Sequence, residues 1–312
     1  MKSPIHQGSI IRKLYRHYHR WLPQSAVKTT AKTEKSSFFQ VASRYDALFL
    51  DAYGVLYGGS LTQSDLGPRI GENLYRLRQQ GVHLRLLSNN GHESVATIVE
   101  KLQQLGIVLK PQEIITSGMV AAPFIRATAL HDHAYHLIGS AQTREAYAPD
   151  PQRLIWQPDH PQPARYILAC SDSIYYGSES QKWVEESLAE APLPLLVVNP
   201  DMVVPRPDGS WFPVAGYTAL DLHQRYGAPF IGIGKPFSPI FRYALQSLPA
   251  MTNPRLLMVG DTLETDILGA NLCGMDSCLT LSGTMASMDR SWPDYCAEQG
   301  VWPDWVVEHI AD

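Results

Sequence analysis

Leu48-Phe49-Leu50-Asp51-Ala52-Tyr53-Gly54-Val55-Leu56-Tyr57 is the stretch on which the fold turns. The apolar run over 45–50 reads as a buried strand that stops on a carboxylate, and Gly54 then marks a sharp turn. A strand ending on Asp presents that carboxylate at the carboxyl edge of a sheet, where open α/β folds keep their ligands. Three later stretches repeat the pattern of apolar run and polar punctuation. They are Leu84-Arg85-Leu86-Leu87-Ser88-Asn89-Asn90, Phe230-Ile231-Gly232-Ile233-Gly234-Lys235-Pro236 and Leu256-Leu257-Met258-Val259-Gly260-Asp261-Thr262. Apolar stripes predict helices over 68–80 and 94–105, closed by Gly81 and Gly106. Further strands are predicted at 134–138, 164–169 and 194–198, and helices at 178–190 and 215–225. Alternation of β and α throughout predicts an α/β fold with parallel sheets covered on both faces.

The 312 residues, 45% hydrophobic and 18% charged, are enough for one large domain or two smaller ones. A net charge of −4 offers no global attraction to nucleic acid. Cys170, Cys273, Cys278 and Cys296 lack metal-site or CxxC spacing, so reduced thiols and a cytoplasmic setting are expected. No apolar run approaches the ~18 residues of a membrane span. Residues 1–36 stand apart: Arg12, Lys13, Arg16 and Arg20 flank Ile11, Leu14, Tyr15, Tyr18 and Leu22 at helical spacing. Such a basic amphipathic helix suits a membrane surface, a partner or a targeting role. Basic patterning is so common that an extension packed on its own domain, or a tail, is the preferred reading.

The four strand ends carry a coherent chemistry. A carboxylate such as Asp51 can attack phosphorus and hold the phosphoryl group, splitting one displacement into two. Ser88 can hydrogen-bond phosphoryl oxygens, and Lys235 can neutralise charge as it builds. Asp261 and Asp266, in Gly260-Asp261-Thr262-Leu263-Glu264-Thr265-Asp266, form an acidic turn suited to Mg²⁺. Taken singly, each is as well read as a helix cap, a loop or a surface turn. In this order, each behind an apolar strand, they point to one shared site.

The constellation resembles the four motifs of the haloacid dehalogenase (HAD) superfamily. Too few residues separate Asp51 from Ser88 for an inserted domain, whereas those between Ser88 and Lys235 suffice for one. That spacing resembles the class IIA, NagD-like branch. Asn199-Pro200-Asp201, Pro213-Val214-Ala215-Gly216 and Gly234-Lys235-Pro236 match as well, and the likeness covers about residues 38–290. The resemblance implies a Rossmann-like core (37–127 and 228–312) and an α/β cap (128–227) inserted between the second and third motifs. It implies Asp51 as nucleophile, with Ser88, Asn89, Asn90 and Lys235 at the phosphate. Asp51, Asp261, Asp266 and the backbone carbonyl of Tyr53 would surround Mg²⁺. The expected activity is hydrolysis of a small phosphorylated metabolite through an aspartyl phosphate, and analogy adds a homodimer through the cap.

One position departs from the family. Its phosphatases carry a second Asp, as acid and base, two residues after the nucleophile, where this chain has Tyr53. A phenol, with an ordinary pKa of about 10, donates a proton but is a poor base at neutral pH. Loss of such a group costs on the order of 10²–10⁴ in rate. Tyr53 thus marks a slow or selective phosphatase, with a binder of phosphorylated metabolites that does not turn them over as the alternative. Asp-Ala-Tyr-Gly also resembles the first motif of 2-haloacid dehalogenases, but those enzymes place the cap elsewhere and lack the pair Asp261 and Asp266.

Other candidates are weaker. His131, His133 and His136 have no paired carboxylate or cysteine and read as a solvated loop. Tyr175-Tyr176 and Trp211-Phe212 are packing aromatics that can also line a substrate pocket. Trp292, Trp302 and Trp305 are expected to anchor the last strand. Asp201 is a turn residue or a hinge support.

Overall fold

The computed structural model describes residues 15, 21–22, 33–58, 66–147, 150–155, 162–171, 178–205, 211–288 and 291–312. In chain order its strands are β1 (Glu34–Lys35), β2 (Ala47–Leu50), β3 (His83–Ser88), β4 (Ile114–Thr116), β5 (Tyr135–Ile138), β6 (Tyr166–Ala169) and β7 (Leu195–Val197). They continue with β8 (Val203–Pro205), β9 (Trp211–Pro213), β10 (Phe230–Gly232), β11 (Leu256–Gly260), β12 (Asp276–Thr280) and β13 (Trp305–Val307). Seven form a sheet in the order β1-β13-β12-β11-β2-β3-β4, and four form a second in the order β10-β7-β6-β5. Every pairing in both sheets is parallel, while β8 and β9 make an antiparallel hairpin. The fold is the α/β arrangement expected, a Rossmann-like core with a second α/β unit inserted between the Ser88 and Lys235 motifs.

Parallel strands are buried on both faces, which is why β2 reads as an unbroken apolar run. Alternate side chains nonetheless go to different partners. Leu48 and Leu50 join one cluster with Ile70, Leu74, Ile98 and Leu102 from the helices Leu66–Gln79 and Val95–Gln104. Phe49 points the other way, into a cluster with Ile125, Ile240 and Phe241 from the helices Ser117–Arg126 and Ser238–Gln246. The second cluster also takes in Tyr135, Leu137, Leu168 and Leu196 of the four-stranded sheet. The inserted unit is therefore packed on the core through a shared apolar layer. Its opposite face is covered by the helices Glu179–Glu190 and Ala215–Tyr226, against Ile138, Ile167, Leu195 and Val197.

Two boundaries differ from expectation. The strand before Lys235, assigned to the core block 228–312, pairs Phe230 to Leu195 and Gly232 to Val197 in the cap sheet. An apolar run shows that a strand exists but not which sheet accepts it. The core sheet also begins earlier than residue 37, because Glu34–Lys35 adds an edge strand beside Trp305 and Val306. Exposed charged side chains, including Lys35 paired with Glu308 at 2.5 Å, hide that strand from a hydrophobicity pattern. Of the periodic residues ahead of it only Tyr15 and Leu22 are described, and both pack on apolar clusters of the same chain; the rest of the expected basic helix lies outside the described residues. The pair Tyr175-Tyr176 also lies outside them. His136 departs from the loop reading: it is buried within β5, with Nε2 2.9 Å from Ser187 Oγ. No described helix is long and apolar enough to cross a membrane.

Candidate active site

Strand order reverses at β2, which has β3 on one side and β11 on the other. Such a switch point leaves a crevice beyond the carboxyl ends of the strands. Asp51 sits there, its N–H donating to the Val259 carbonyl (2.9 Å), so its backbone continues the ladder by one residue. The chain then turns at Gly54, whose φ of +89° favours glycine. Space demands glycine as well, since a Cβ would lie 2.1 Å from Asp261 Oδ2. Ser282 Oγ donates to the Gly54 carbonyl at 2.7 Å and holds this turn against the loop after β12.

β11 delivers Asp261, which is almost fully buried. Its Oδ2 accepts the Thr284 N–H at 2.6 Å, and its Oδ1 accepts the Thr262 hydroxyl at 3.1 Å. A single π-helical turn, Leu263–Ile267, follows and swings Asp266 back toward the strand end. Turns of this kind recur at functional sites because they re-aim side chains within a helix start. Asp266 Oδ2 accepts the Thr262 N–H (3.2 Å), while Oδ1 accepts Lys235 Nζ (2.7 Å). Lys235 Nζ also donates to Asp51 Oδ1 at 2.5 Å. The lysine ammonium thus lies between two carboxylates, and one oxygen from each of Asp51, Asp261 and Asp266 falls within 4.8 Å of the others.

Burial alone would strip the charge from Lys235, but Asp266 and Asp51 outweigh it and hold the ammonium charged. The carboxylates feel the opposite imbalance. Burial, then the neighbouring Asp51, pushes Asp261 up to about 7, and the same two causes push Asp266 well above the usual carboxylate range. Three crowded carboxylates face one ammonium. Hard oxygen donors in this surplus suit a divalent cation such as Mg²⁺. The residues present therefore fit such an ion.

Ser88 ends β3, is buried, and lines the same cavity of about 600 Å³ as Asp51, Lys235 and Asp261. Asn89 and Asn90 also line it, but their side chains are committed elsewhere. Asn89 Oδ1 accepts the Lys235 backbone N–H (2.7 Å), and its Nδ2 donates to Asp201 Oδ1 (2.8 Å) and to the Lys235 carbonyl (3.0 Å). Asn90 Oδ1 accepts the N–H groups of His92 (2.9 Å) and Glu93 (2.8 Å), closing a local turn, and Nδ2 donates to Glu93 (2.9 Å). Asn89 thus positions Lys235 and Asn90 shapes the loop. Both amide side chains are engaged by these bonds. Tyr53 is at the cavity wall with 38% of its surface exposed, its ring edge-on to Tyr57 with centroids 6.4 Å apart.

Sequence reasoning missed Thr262, Ser282 and Thr284, whose short side chains and backbone hold the acidic turns. It left Asp201 undecided; the Asn89 bond makes it the support between the Ser88 loop and the cap. The only sequence signal for that support is the Asn-Pro-Asp turn, in which Asn199 Oδ1 accepts the Asp201 N–H (3.0 Å).

Two family models match. One, described as haloacid dehalogenase-like hydrolase, covers residues 48–148, and the other, HAD-hydrolase-like, covers 232–312. Glycerol-3-phosphate phosphatase of Gallus gallus is 29% identical over 291 residues, spanning 87% of this chain and 92% of that protein. Among solved structures, one described as a possible sugar phosphatase of the HAD superfamily from Cytophaga hutchinsonii superposes with a TM-score of 0.74. It is 22% identical and covers 90% of this chain and 99% of its own. NagD of E. coli K-12 superposes with a TM-score of 0.68 at 21% identity, over 86% of this chain and 98% of its own. At such identities the two structures speak to the fold alone.

Proposed function

This chain belongs to the haloacid dehalogenase superfamily, in its NagD-like class IIA branch, and from that premise we propose that it hydrolyses a small phosphomonoester with a divalent cation, Mg²⁺ by preference. The observation that carries this reading is the Lys235 ammonium, 2.5 Å from Asp51 and 2.7 Å from Asp266, beside a carboxylate triad. Relatives named as phosphatases lend further support.

Asp51 attacks phosphorus through a carboxylate oxygen; the bond from phosphorus to the ester oxygen breaks, and that oxygen leaves with a proton. Tyr53, at the wall, is the phenol that supplies this proton. Lys235 neutralises Asp51 in the resting site and the phosphoryl oxygens as charge accumulates on them. Ser88 hydrogen-bonds a phosphoryl oxygen. Water then attacks the phosphoryl group on Asp51 and passes a proton to the Tyr53 phenolate left by the first step, releasing inorganic phosphate and restoring the carboxylate. Both proton transfers thus fall to a phenol, where phosphatases of the family carry a carboxylic acid. Asp51, Asp261, Asp266 and the Tyr53 carbonyl would hold the cation, which when bound offsets negative charge and orients the phosphoryl group.

Phosphate release from a panel of metabolite phosphates, with and without Mg²⁺ and with Asp51→Asn as the blank, tests the proposal. Mg²⁺-dependent release confined to the native chain, with a phosphoryl adduct on Asp51 in quenched samples, is the expected result. Phosphate binding without release or adduct would favour a binder that does not turn its ligand over, the reading that Tyr53 itself suggests. A dehalogenase that works without metal leaves the buried Asp261 and Asp266 with no task. A cap-to-cap homodimer belongs to the same proposal, and sedimentation of the native chain checks it.

A further inference from the structure

Tyr15 comes from the basic segment ahead of the core, yet it is buried against Met202, Val203, Trp211 and Leu220 of the cap. Its hydroxyl oxygen accepts the Met202 N–H at 3.1 Å. The same residue lines the cavity that holds Asp51 and Lys235. Trp21 and Leu22 pack on the same chain as well. Trp21 packs edge-on against His223 (centroids 5.1 Å apart) and tilted against Phe230 (4.8 Å). Leu22 touches both the cap cluster around Trp211 and the core cluster around Leu263 and Tyr295.

The cavity, at about 600 Å³, is much larger than a phosphoryl group, so most of it is available to the leaving group. Polar and charged side chains surround the reacting end. Val203, Val204 and Trp211 of the β8–β9 hairpin, together with Tyr15, supply an apolar wall. Tyr15 is the member of that wall furthest in sequence from the catalytic motifs. Its hydrogen bond ends on Met202, next to the Asp201 that supports Asn89 and, through it, Lys235.

On the phosphatase reading above, we propose that Tyr15 is a specificity-determining residue supplied by the amino-terminal segment. Its ring contacts the leaving group of phosphomonoesters whose alcohol carries an apolar or aromatic face, and the Met202 bond holds that ring in place. Tyr15 is thus part of the substrate pocket.

The test measures binding of phenylphosphonate and methylphosphonate to the full chain with Mg²⁺, in the native protein and in Tyr15→Phe, Tyr15→Leu and Tyr15→Ala. The native chain is expected to prefer phenylphosphonate, and Tyr15→Phe, which keeps the ring but loses the Met202 bond, to keep only part of that preference. Tyr15→Ala is expected to lose about fivefold or more of that preference while its methylphosphonate affinity stays within about twofold. Tyr15→Leu, which keeps apolar bulk but no ring face, is read in the same way if the alanine variant does not fold. An unchanged ratio, equal weakening of both ligands, or a native chain that binds neither overturns the proposal. Turnover of phenyl phosphate is followed alongside. Preferential binding without turnover counts against the phosphatase reading and leaves the role of Tyr15 standing, whereas turnover with an unchanged ratio does the reverse.

Discussion

Position 53 carries a phenol two residues after the candidate nucleophile, where phosphatases of the family carry a carboxylic acid. The backbone there is held by the Gly54 turn, with the Gly54 N–H donating to the Tyr57 carbonyl at 2.7 Å, so exchanging the side chain need not move Asp51. Tyr53→Asp restores a group able to donate a proton in the first step and accept one in the second. Turnover of an aryl phosphate with Mg²⁺ is expected to rise at least about tenfold, the lower part of what such a group contributes. Steady-state kinetics at saturating Mg²⁺ read the change. A variant no faster than the native chain means that Tyr53 is not the limiting residue.

At the level of elements, the loop after β3 and the loop after β7 are joined by a part-buried bond, Asn89 Nδ2 to Asp201 Oδ1. Burial pushes the Asp201 carboxyl up from 3.8 to about 6, although Lys235 and the Asn89 amide pull the other way. A carboxyl raised in the folded state stabilises that state when protonated. Its contribution is complete below pH about 4 and lost as pH rises to about 6. Asp201→Asn is neutral throughout. The stability of the native chain relative to this variant should therefore fall by on the order of 2 kcal/mol between those limits. Urea unfolding of both proteins in chelator, at matched pH, measures it. A difference that stays constant with pH would show that Asp201 is not held in this state.

For the whole molecule, the decisive property is that distant strand ends crowd Asp51, Asp261 and Asp266 together around the Lys235 ammonium. Folding without a cation leaves the charge imbalance in place, so a cation that binds the folded state alone must stabilise it. At a hundredfold excess over its dissociation constant the gain is about 2.7 kcal/mol. Thermal unfolding is accordingly expected to shift upward on addition of Mg²⁺ and to return with chelator. Asp261→Asn should abolish the increment. A native chain whose melting temperature ignores Mg²⁺ would remove the metal from the proposed mechanism. The shared cluster of Phe49, Phe241, Leu168 and Leu196 gives the cap and core a common apolar layer. Because β10 belongs to the cap sheet, the chain re-enters the core through the residues that carry Lys235, which couples that lysine to the cap.

Local patterns carry the strands, the helices and the identities of Asp51, Ser88, Lys235, Asp261 and Asp266, because apolar periodicity and polar strand ends are properties of neighbouring residues. The order of those motifs also determined where a second unit could be inserted. Contacts across long separations were beyond that reach. The sheet that accepts β10, the use of Asn89 to hold Lys235 and Asp201, the burial of His136 and the arrival of Tyr15 at the cavity each depend on a partner far along the chain. Asn89 and Asp201 are 112 residues apart. A side chain's chemistry is written in its residue type, but which group satisfies it in the interior is decided only when packing excludes water and leaves one partner within reach.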